Sequence, residues 1–285
     1  MVRLIRQGHG LRKALGLCAA LLLLLLPTGC AAPLFSDFNV RLDTLLPADV
    51  ILLGEQHDAP QHQRIHFDVI RGLADRGVLA AVAIEMAEQG NSTAALPRHA
   101  TEDQVRSALQ WRESEWPWAR YGPAVMAAVR NGTPVFGANL PRTAMKTAMG
   151  DARLDRLLGG PALKTQQQLI RSGHCDLLPE RQVGPMTRIQ IARDVAMAQT
   201  ITQALQPGKT VLLLAGSGHA DGQLGVPLHL ANTLRVKTLL LLAQTLPSES
   251  DKDGKFDHVW RTDPLLPTDY CARFVEQRAR ASPSP

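Results

Sequence analysis

The sequence predicts an α/β fold: a single main domain with a largely parallel central sheet flanked by helices on both faces. Three observations predict it. Short apolar runs of strand length alternate with stretches of helical period, as strand–helix–strand units require. The runs at 49–53, 80–85, 210–215 and 236–243 are nearly unbroken, the pattern of strands covered on both faces. Polar residues able to do chemistry follow the ends of successive runs, where ligands bind in open α/β sheets.

The N-terminus reads as a targeting segment. Arg3, Arg6, Arg12 and Lys13 precede the apolar stretch Ala14 to Leu26, which is short for a membrane span. Leu25-Leu26-Pro27-Thr28-Gly29-Cys30 is similar to a bacterial lipoprotein signal, in which the cysteine becomes the lipidated first residue. Pro27 stands where that pattern usually has Leu, and an ordinary signal peptide cut near Ala31-Ala32 is the alternative. The expectation is a signal peptide over 1–29, lipidation at Cys30 and a tether over 30–47. Ala31 after the cysteine leans toward the outer membrane, with the chain facing the periplasm.

Those four basic residues also explain the charge. Taking them from the net +5 leaves +1, because no acid precedes position 30. A near-neutral mature chain without a basic run interleaved with aromatics excludes a nucleic-acid reading. Of the four cysteines, Cys18 leaves with the signal and Cys30 takes lipid. Cys175 and Cys271 remain. In an oxidising compartment they form one disulfide tying the tail to the body, or stay as two thiols; the sequence leaves both open.

The main domain runs over 48–245. Asp49 to Leu53 is the first strand. From Gln61 to Asp75, Ile65, Val69, Ile70 and Leu73 recur at helical spacing. Ala80 to Glu85 is the second strand. Thr101 to Trp111 opens on Thr-Glu-Asp and reads as a capped helix. Pro123 to Arg130 is a helix stopped by Asn131-Gly132, and Pro134 to Gly137 is a third strand. Arg142 to Leu158 and Leu163 to Arg171 are weaker helical segments. Pro185 to Leu205 is a long helix with the stripe Met186, Ile189, Val195, Met197, Ile201 and Leu205. A strand over 209–215, a short helix over 227–234 and a strand over 236–243 follow. Residues 246–285 form an extension: a polar turn over 248–255, an edge strand at Val259-Trp260, a mixed tail and a disordered end. No Gly-x-Gly-x-x-Gly follows the first strand and there is no phosphate loop, which excludes dinucleotide and P-loop enzymes. No repeat of solenoid period is visible.

The chemistry concentrates in two Gly-x-x-His elements, Gly54-Glu55-Gln56-His57 and Gly216-Ser217-Gly218-His219, each just past an apolar run. Glu85 ends the second strand and Asn139 follows the third. Parallel strands would bring Glu55, His57, Glu85, Asn139 and His219 to one edge. Glu85 or Asn139 alone could merely cap a loop, but several such groups at successive strand ends favour a site. A carboxylate beside a histidine can deprotonate water, or the set can bind a divalent metal such as zinc. His62 and His66, spaced i, i+4, share a helix face. Alone they read as a solvated face; beside His57 they make His57, His62 and His219 a candidate metal site.

Three of the four Trp and one of the two Tyr fall between Trp111 and Tyr121. Such a cluster supplies wide apolar faces, Arg112 and Arg120 suit carboxylates, and Tyr121 could ligate ferric iron. Packing of a helix on the sheet is the plainer reading for the Trp residues. His174-Cys175 is a second pair of soft ligands, both of types that hold haem iron. Arg188, Arg193 and Asp194 on the long helix read as ion-pairing or capping groups.

On these residues the chain resembles the ChaN-like haem-binding uptake lipoproteins of the wider Tiki superfamily. The resemblance covers roughly 48–245. It rests on Gly54-Glu55-Gln56-His57-Asp58 with His62, Glu85-Met86, and Trp116 with Tyr121-Gly122-Pro123. It continues in Gly173-His174-Cys175, Gln190 to Ala198, and Gly216-Ser217-Gly218-His219 with Gly225-Val226-Pro227. It implies an α/β fold, haem bound through a Tyr ligand, a part in iron-regulated haem uptake, and a homodimer linked by haem. On the resemblance Tyr121 is the expected iron ligand and His174 a second ligand or hydrogen-bond partner, with Trp116 and Arg120 beside the haem. The expectation is a binding protein. The same superfamily contains metal-dependent Tiki-type proteases, and the related erythromycin esterases activate water with His and Glu. The alternative is therefore a hydrolase using Glu55, His57, Glu85 and His219.

Overall fold

The structure is a computed structural model that describes residues 34–244 and 254–281. The signal segment, Cys30 and most of the expected turn at 248–255 lie outside the described residues. The chain divides into an N-terminal unit ending at Val40 and a body beginning at Arg41. Helix α1, Leu34–Asp43, occupies part of the stretch expected to be an irregular tether.

The body is built on one six-stranded sheet. Its strands are β1 (Val50–Glu55), β2 (Leu79–Glu88), β3 (Val135–Asn139), β4 (Thr210–Gly216), β5 (Val236–Leu242) and β6 (His258–Arg261). Their order is β3-β2-β4-β1-β5-β6, and every pairing is parallel. The α/β reading of the sequence holds. Val50 and Leu52 of β1 and Val211 and Leu213 of β4 share a core with Met197 and Ile201 of the long helix α7, Glu180–Ala204. The alternate residues Ile51, Leu53, Leu212 and Leu214 are equally buried. Successive strand side chains point to opposite faces, so both faces are covered. That burial explains the unbroken apolar runs, and truncating Leu52 to Ala would cost about 2–5 kcal/mol.

Helix α2, Pro60–Asp75, enters with Pro in its first turn and buries His62, His66, Val69, Ile70 and Leu73. Helix α3, Glu102–Ala108, starts at a Thr101–Gln104 capping box. Helix α4, Trp118–Asn131, ends at Gly132, whose φ of 78° suits glycine. Both α4 and α7 begin five residues before the prolines taken as their starts: Pro123 and Pro185 lie inside their helices. In the second turn a missing N–H leaves only one carbonyl without its ladder partner. Burial of Trp118 and Tyr121 in α4, and of Val183 and Thr187 in α7, favours the longer helices.

Helices α5 (Arg142–Gly150) and α6 (Gly160–Gly173) flank a short 3-10 turn, Leu154–Leu157. Helix α8 is a single turn, Ser217–Ala220. The expected helix at 227–234 is only a 3-10 turn, Val226–His229. The tail contains helix α9, Tyr270–Ala281, which the mixed sequence did not suggest. Cys175 and Cys271 are disulfide-bonded, which ties the loop after α6 to the start of α9.

Candidate functional site

The parallel sheet delivers its polar strand ends to one edge. Glu55 closes β1, and Gln56-His57 follow it. Glu85 lies near the end of β2, and His219 sits on α8 immediately after β4. The register pairs Glu55 with Gly216, so the two Gly-x-x-His elements lie side by side. Their glycines serve each other. A Cβ on Gly54 would stand 2.9 Å from the Ser217 Cα, and one on Gly216 would stand 2.9 Å from His57 Nε2. Each glycine clears the space that the other element fills.

Glu55 is 1% exposed and is the acceptor for three donors. It accepts from His57 Nδ1 at 2.7 Å, Gln63 Nε2 at 2.6 Å and the Tyr121 hydroxyl at 2.8 Å. His66 Nε2 lies 3.5 Å away without hydrogen-bond geometry, since both its ring nitrogens lack such a partner. Burial alone would raise the Glu55 carboxyl; His66, His57 and the Tyr121 hydroxyl together bring it below its ordinary value. Complete burial drives His66 toward its neutral form.

A second group surrounds Glu85. Its Oε2 accepts the Gly216 N–H at 2.8 Å, its Oε1 lies 3.5 Å from His219 Nε2, and His57 Nε2 is 3.8 Å away. His219 Nδ1 meets Asp194 of α7 at 2.5 Å. Burial would lower the His219 imidazolium, but Glu85 and Asp194 outweigh it and raise its pKa to about 10. Burial would likewise raise Glu85, but His219 and His57 hold it far below the carboxylate range. For His57, burial is outweighed by its bond to Glu55 and by Glu85, so its pKa is raised. The edge thus carries the carboxylates Glu55 and Glu85 with His57 shared between them.

His57 keeps 41% of its side chain exposed and lines a cavity of about 600 Å³ with Glu85, Trp116, Asn139 and Arg193. The Trp116 ring meets His57 edge-on, centroids 4.9 Å apart. The sequence reading therefore brings Glu55, His57, Glu85 and His219 together as expected. It missed Gln63, His66, Asp194 and Gln190, whose amide lies 3.3 Å from His219 Nδ1, as members. His66 was visible only as a helix-face histidine, and Asp194 only as an ordinary helix charge. Their membership depends on how α2 and α7 cross the sheet edge.

His62 corrects the metal-site expectation. Its Nδ1 accepts the Gln56 N–H at 3.0 Å and its Nε2 meets Thr262 Oγ1 at 3.1 Å. Both ring nitrogens are committed, and burial lowers its pKa to about 4. Among the described residues, no group of three or more His, Cys, Asp or Glu could hold a metal ion. His57, His62 and His219 are not a ligand set.

The profile of a family described as haem-binding uptake, Tiki superfamily, ChaN, matches residues 41–230. The chain belongs to this ChaN family. A solved structure titled as cofacial heme binding to ChaN of Campylobacter jejuni is 25% identical, with a TM-score of 0.61 over 75% of this chain and 88% of that one. The structure of the type III effector HopBA1 aligns at 15% identity and a TM-score of 0.45, over 76% of this chain and 88% of that one. No curated protein matches the sequence.

Haem is the ligand that ChaN membership implies, and the expected ligands fare differently against it. Tyr121 is 3% exposed. Burial, followed by the charge of Glu55, raises its pKa far above the ordinary phenol value. Trp116 and Trp111 pack against its ring, so it presents no phenolate to a surface ligand. Trp116 lines the His57 cavity, and Arg120 donates to the His57 carbonyl at 3.1 Å. His174 is half-buried, with Nδ1 bonded to the Ile170 carbonyl at 2.7 Å. That bond places the proton on Nδ1 and leaves the Nε2 lone pair for a metal. Beyond the bridge, Tyr270 is 55% exposed, with Leu177 and Val275 exposed nearby in the chain. His174 packs edge-on against Phe274 of α9, and the disulfide joins the two segments that carry His174 and Tyr270.

Proposed function

We propose that this protein is a haem carrier of the bacterial envelope, anchored by lipid on Cys30, facing the periplasm from the outer membrane and taking part in haem uptake. The observation that carries the haem reading is family membership over 41–230, together with the likeness to C. jejuni ChaN, whose structure is described as binding haem cofacially. Haem brings a ferric centre, two wide apolar faces and two carboxylates. His174 offers its Nε2 to such a centre. Tyr270 offers an exposed phenol; its hydroxyl donates to Asp58, a bond that raises its pKa, so a ferric centre would have to displace that proton. Leu177 and Val275 give the apolar faces something to cover. Haem held on an exposed face leaves its other side open, which favours a second copy of the chain there and easy transfer. A Tyr ligand is then better supplied by Tyr270 than by buried Tyr121.

Haemin titration of the full-length chain in detergent tests this, with Tyr121→Phe, Tyr270→Phe and His174→Ala run beside wild type. We expect a saturable Soret shift that is altered in the Tyr270 and His174 variants and kept in Tyr121→Phe. Loss in Tyr121→Phe alone would return the ligand to Tyr121, and no saturable shift would end the haem reading. Radiolabelled palmitate incorporation that persists after Cys30→Ala would end the anchor.

A second reading rests on the buried cluster. His57, oriented by Glu55 and open to a cavity, is built as a general base that could take a proton from water. Hydrolysis of p-nitrophenyl acetate, compared between wild type and His57→Ala, tests it; equal rates would remove it.

A further inference from the structure

The cavity beside His57 holds one arginine that the protein leaves without a hydrogen-bonded partner. Arg112 pairs with Glu88 at 2.6 Å, and Arg142 pairs with Glu115. Arg193 lines the same cavity and is half-buried. Among the described residues it makes no hydrogen bond or ion pair, and its Nε is fully buried without a partner. The neighbouring carboxylate, Asp194, feels the Arg193 charge only through space; its hydrogen bond goes to His219 at 2.5 Å. The carboxylate of Glu85 is taken by the Gly216 N–H and faces His219 and His57.

A guanidinium removed from water without a partner is costly. It is tolerated where a ligand supplies the anion, because a planar fork of donors matches a carboxylate bidentately. The cavity, at about 600 Å³, is within the range that holds small organic ligands. Trp116, Met86 and Met145 give its wall apolar surface. Glu85 already places a negative charge there, which favours a singly charged anion over a multiply charged one.

We infer that this cavity binds a small organic carboxylate, with its anionic group on Arg193 and its apolar part against Trp116. None of His174, Tyr270, Leu177 and Val275 lines this cavity, and the inference does not depend on haem binding. Free phosphate shares the oxyanion chemistry, and the propionates of haem share the carboxylate, so both enter the test as competing sources.

Phenylacetate and its neutral analogue phenylacetamide are the probes, titrated calorimetrically into the full-length chain in detergent. Phenylacetate should bind saturably and phenylacetamide at least tenfold more weakly. Arg193→Gln should abolish that difference while leaving the haemin titration unchanged. Because Arg193 has no hydrogen-bonded partner in the protein, the ligand-free Arg193→Gln variant should melt at the same temperature as wild type or higher. Equal binding of the two probes, or binding of neither, would overturn the proposal. So would tighter binding of inorganic phosphate, displacement of phenylacetate by haemin, or a lower melting temperature for Arg193→Gln, which would mark a structural role.

Discussion

Two regions of this molecule handle ligand-capable groups in opposite ways. At the carboxyl edge of the sheet, Glu85 and Asp194 are buried against His219, and buried Glu55 is held by His57, Gln63 and Tyr121. Around the Cys175–Cys271 bridge, His174 is half-buried and bonded to the Ile170 carbonyl, and Tyr270 is exposed with its hydroxyl on Asp58. The buried cluster is arranged before any ligand arrives, because each charge needs its neighbour to remain charged out of water. The surface region can do its work only by covering a ligand that brings its own apolar area.

That contrast predicts a graded set of outcomes. The largest effect should come from Glu55→Ala, which leaves the His57, Gln63 and Tyr121 donors without their acceptor. Breaking a buried ionic contact costs about 3–5 kcal/mol, so urea unfolding should show a loss of that order. A loss under about 1 kcal/mol would mean that the cluster is not held electrostatically.

The pH response should separate the regions next. His219 is raised from 6.5 to about 10 in the fold. Its contribution is fully present below its unfolded value of 6.5 and is lost as pH climbs through about 10. Glu85, whose pKa is depressed from 4.5, contributes above that value, and the contribution fades as pH falls. NMR titration should find His219 charged throughout the neutral range. A His219 that titrates near 6.5 would show that the network is neutral.

Cys271→Ala should act mainly on the surface region. Losing a native disulfide typically costs about 2–5 kcal/mol in a small domain; here the cost should fall on α9, because the sheet and α7 make a core without it. Hydrogen exchange should show faster exchange in 270–281, unchanged protection in β1 and β4, and weaker haemin binding. Faster exchange across β1 would show that the bridge supports the sheet as well. The smallest stability effect should be that of Tyr270→Phe, within about 0.5 kcal/mol as for other exposed substitutions. A larger loss would show that the Tyr270–Asp58 contact is structural.

Much of the polar edge was legible in the residues because strand ends are local. The run Val50 to Leu53 followed by Gly54-Glu55-Gln56-His57 announces a buried strand and the groups it delivers, and Val211 to Ala215 followed by Gly216 to His219 does the same. Family resemblance was legible because those elements recur in order. Three features were not. Tyr121 looked like an open ligand because sequence spacing says nothing of the Trp rings packed over it. His62 looked like a metal ligand because i, i+4 spacing shows a shared face but not that Gln56 and Thr262 already occupy its nitrogens. Arg193 looked like an ordinary ion-pairing charge because its isolation is a fact about distant neighbours.

By itself, then, the sequence determined the alternation of strands and helices, the apolar core and the polar strand ends, since each depends on residues close in the chain and on burial periodicity. Tertiary structure alone decided which partners those polar groups meet. Asp194 reaches His219 across 25 residues, and Tyr121 reaches Glu55 across 66. Only the packing of α4 and α7 against the sheet settles which charges are neutralised, which tyrosine is buried and which arginine is left for a ligand.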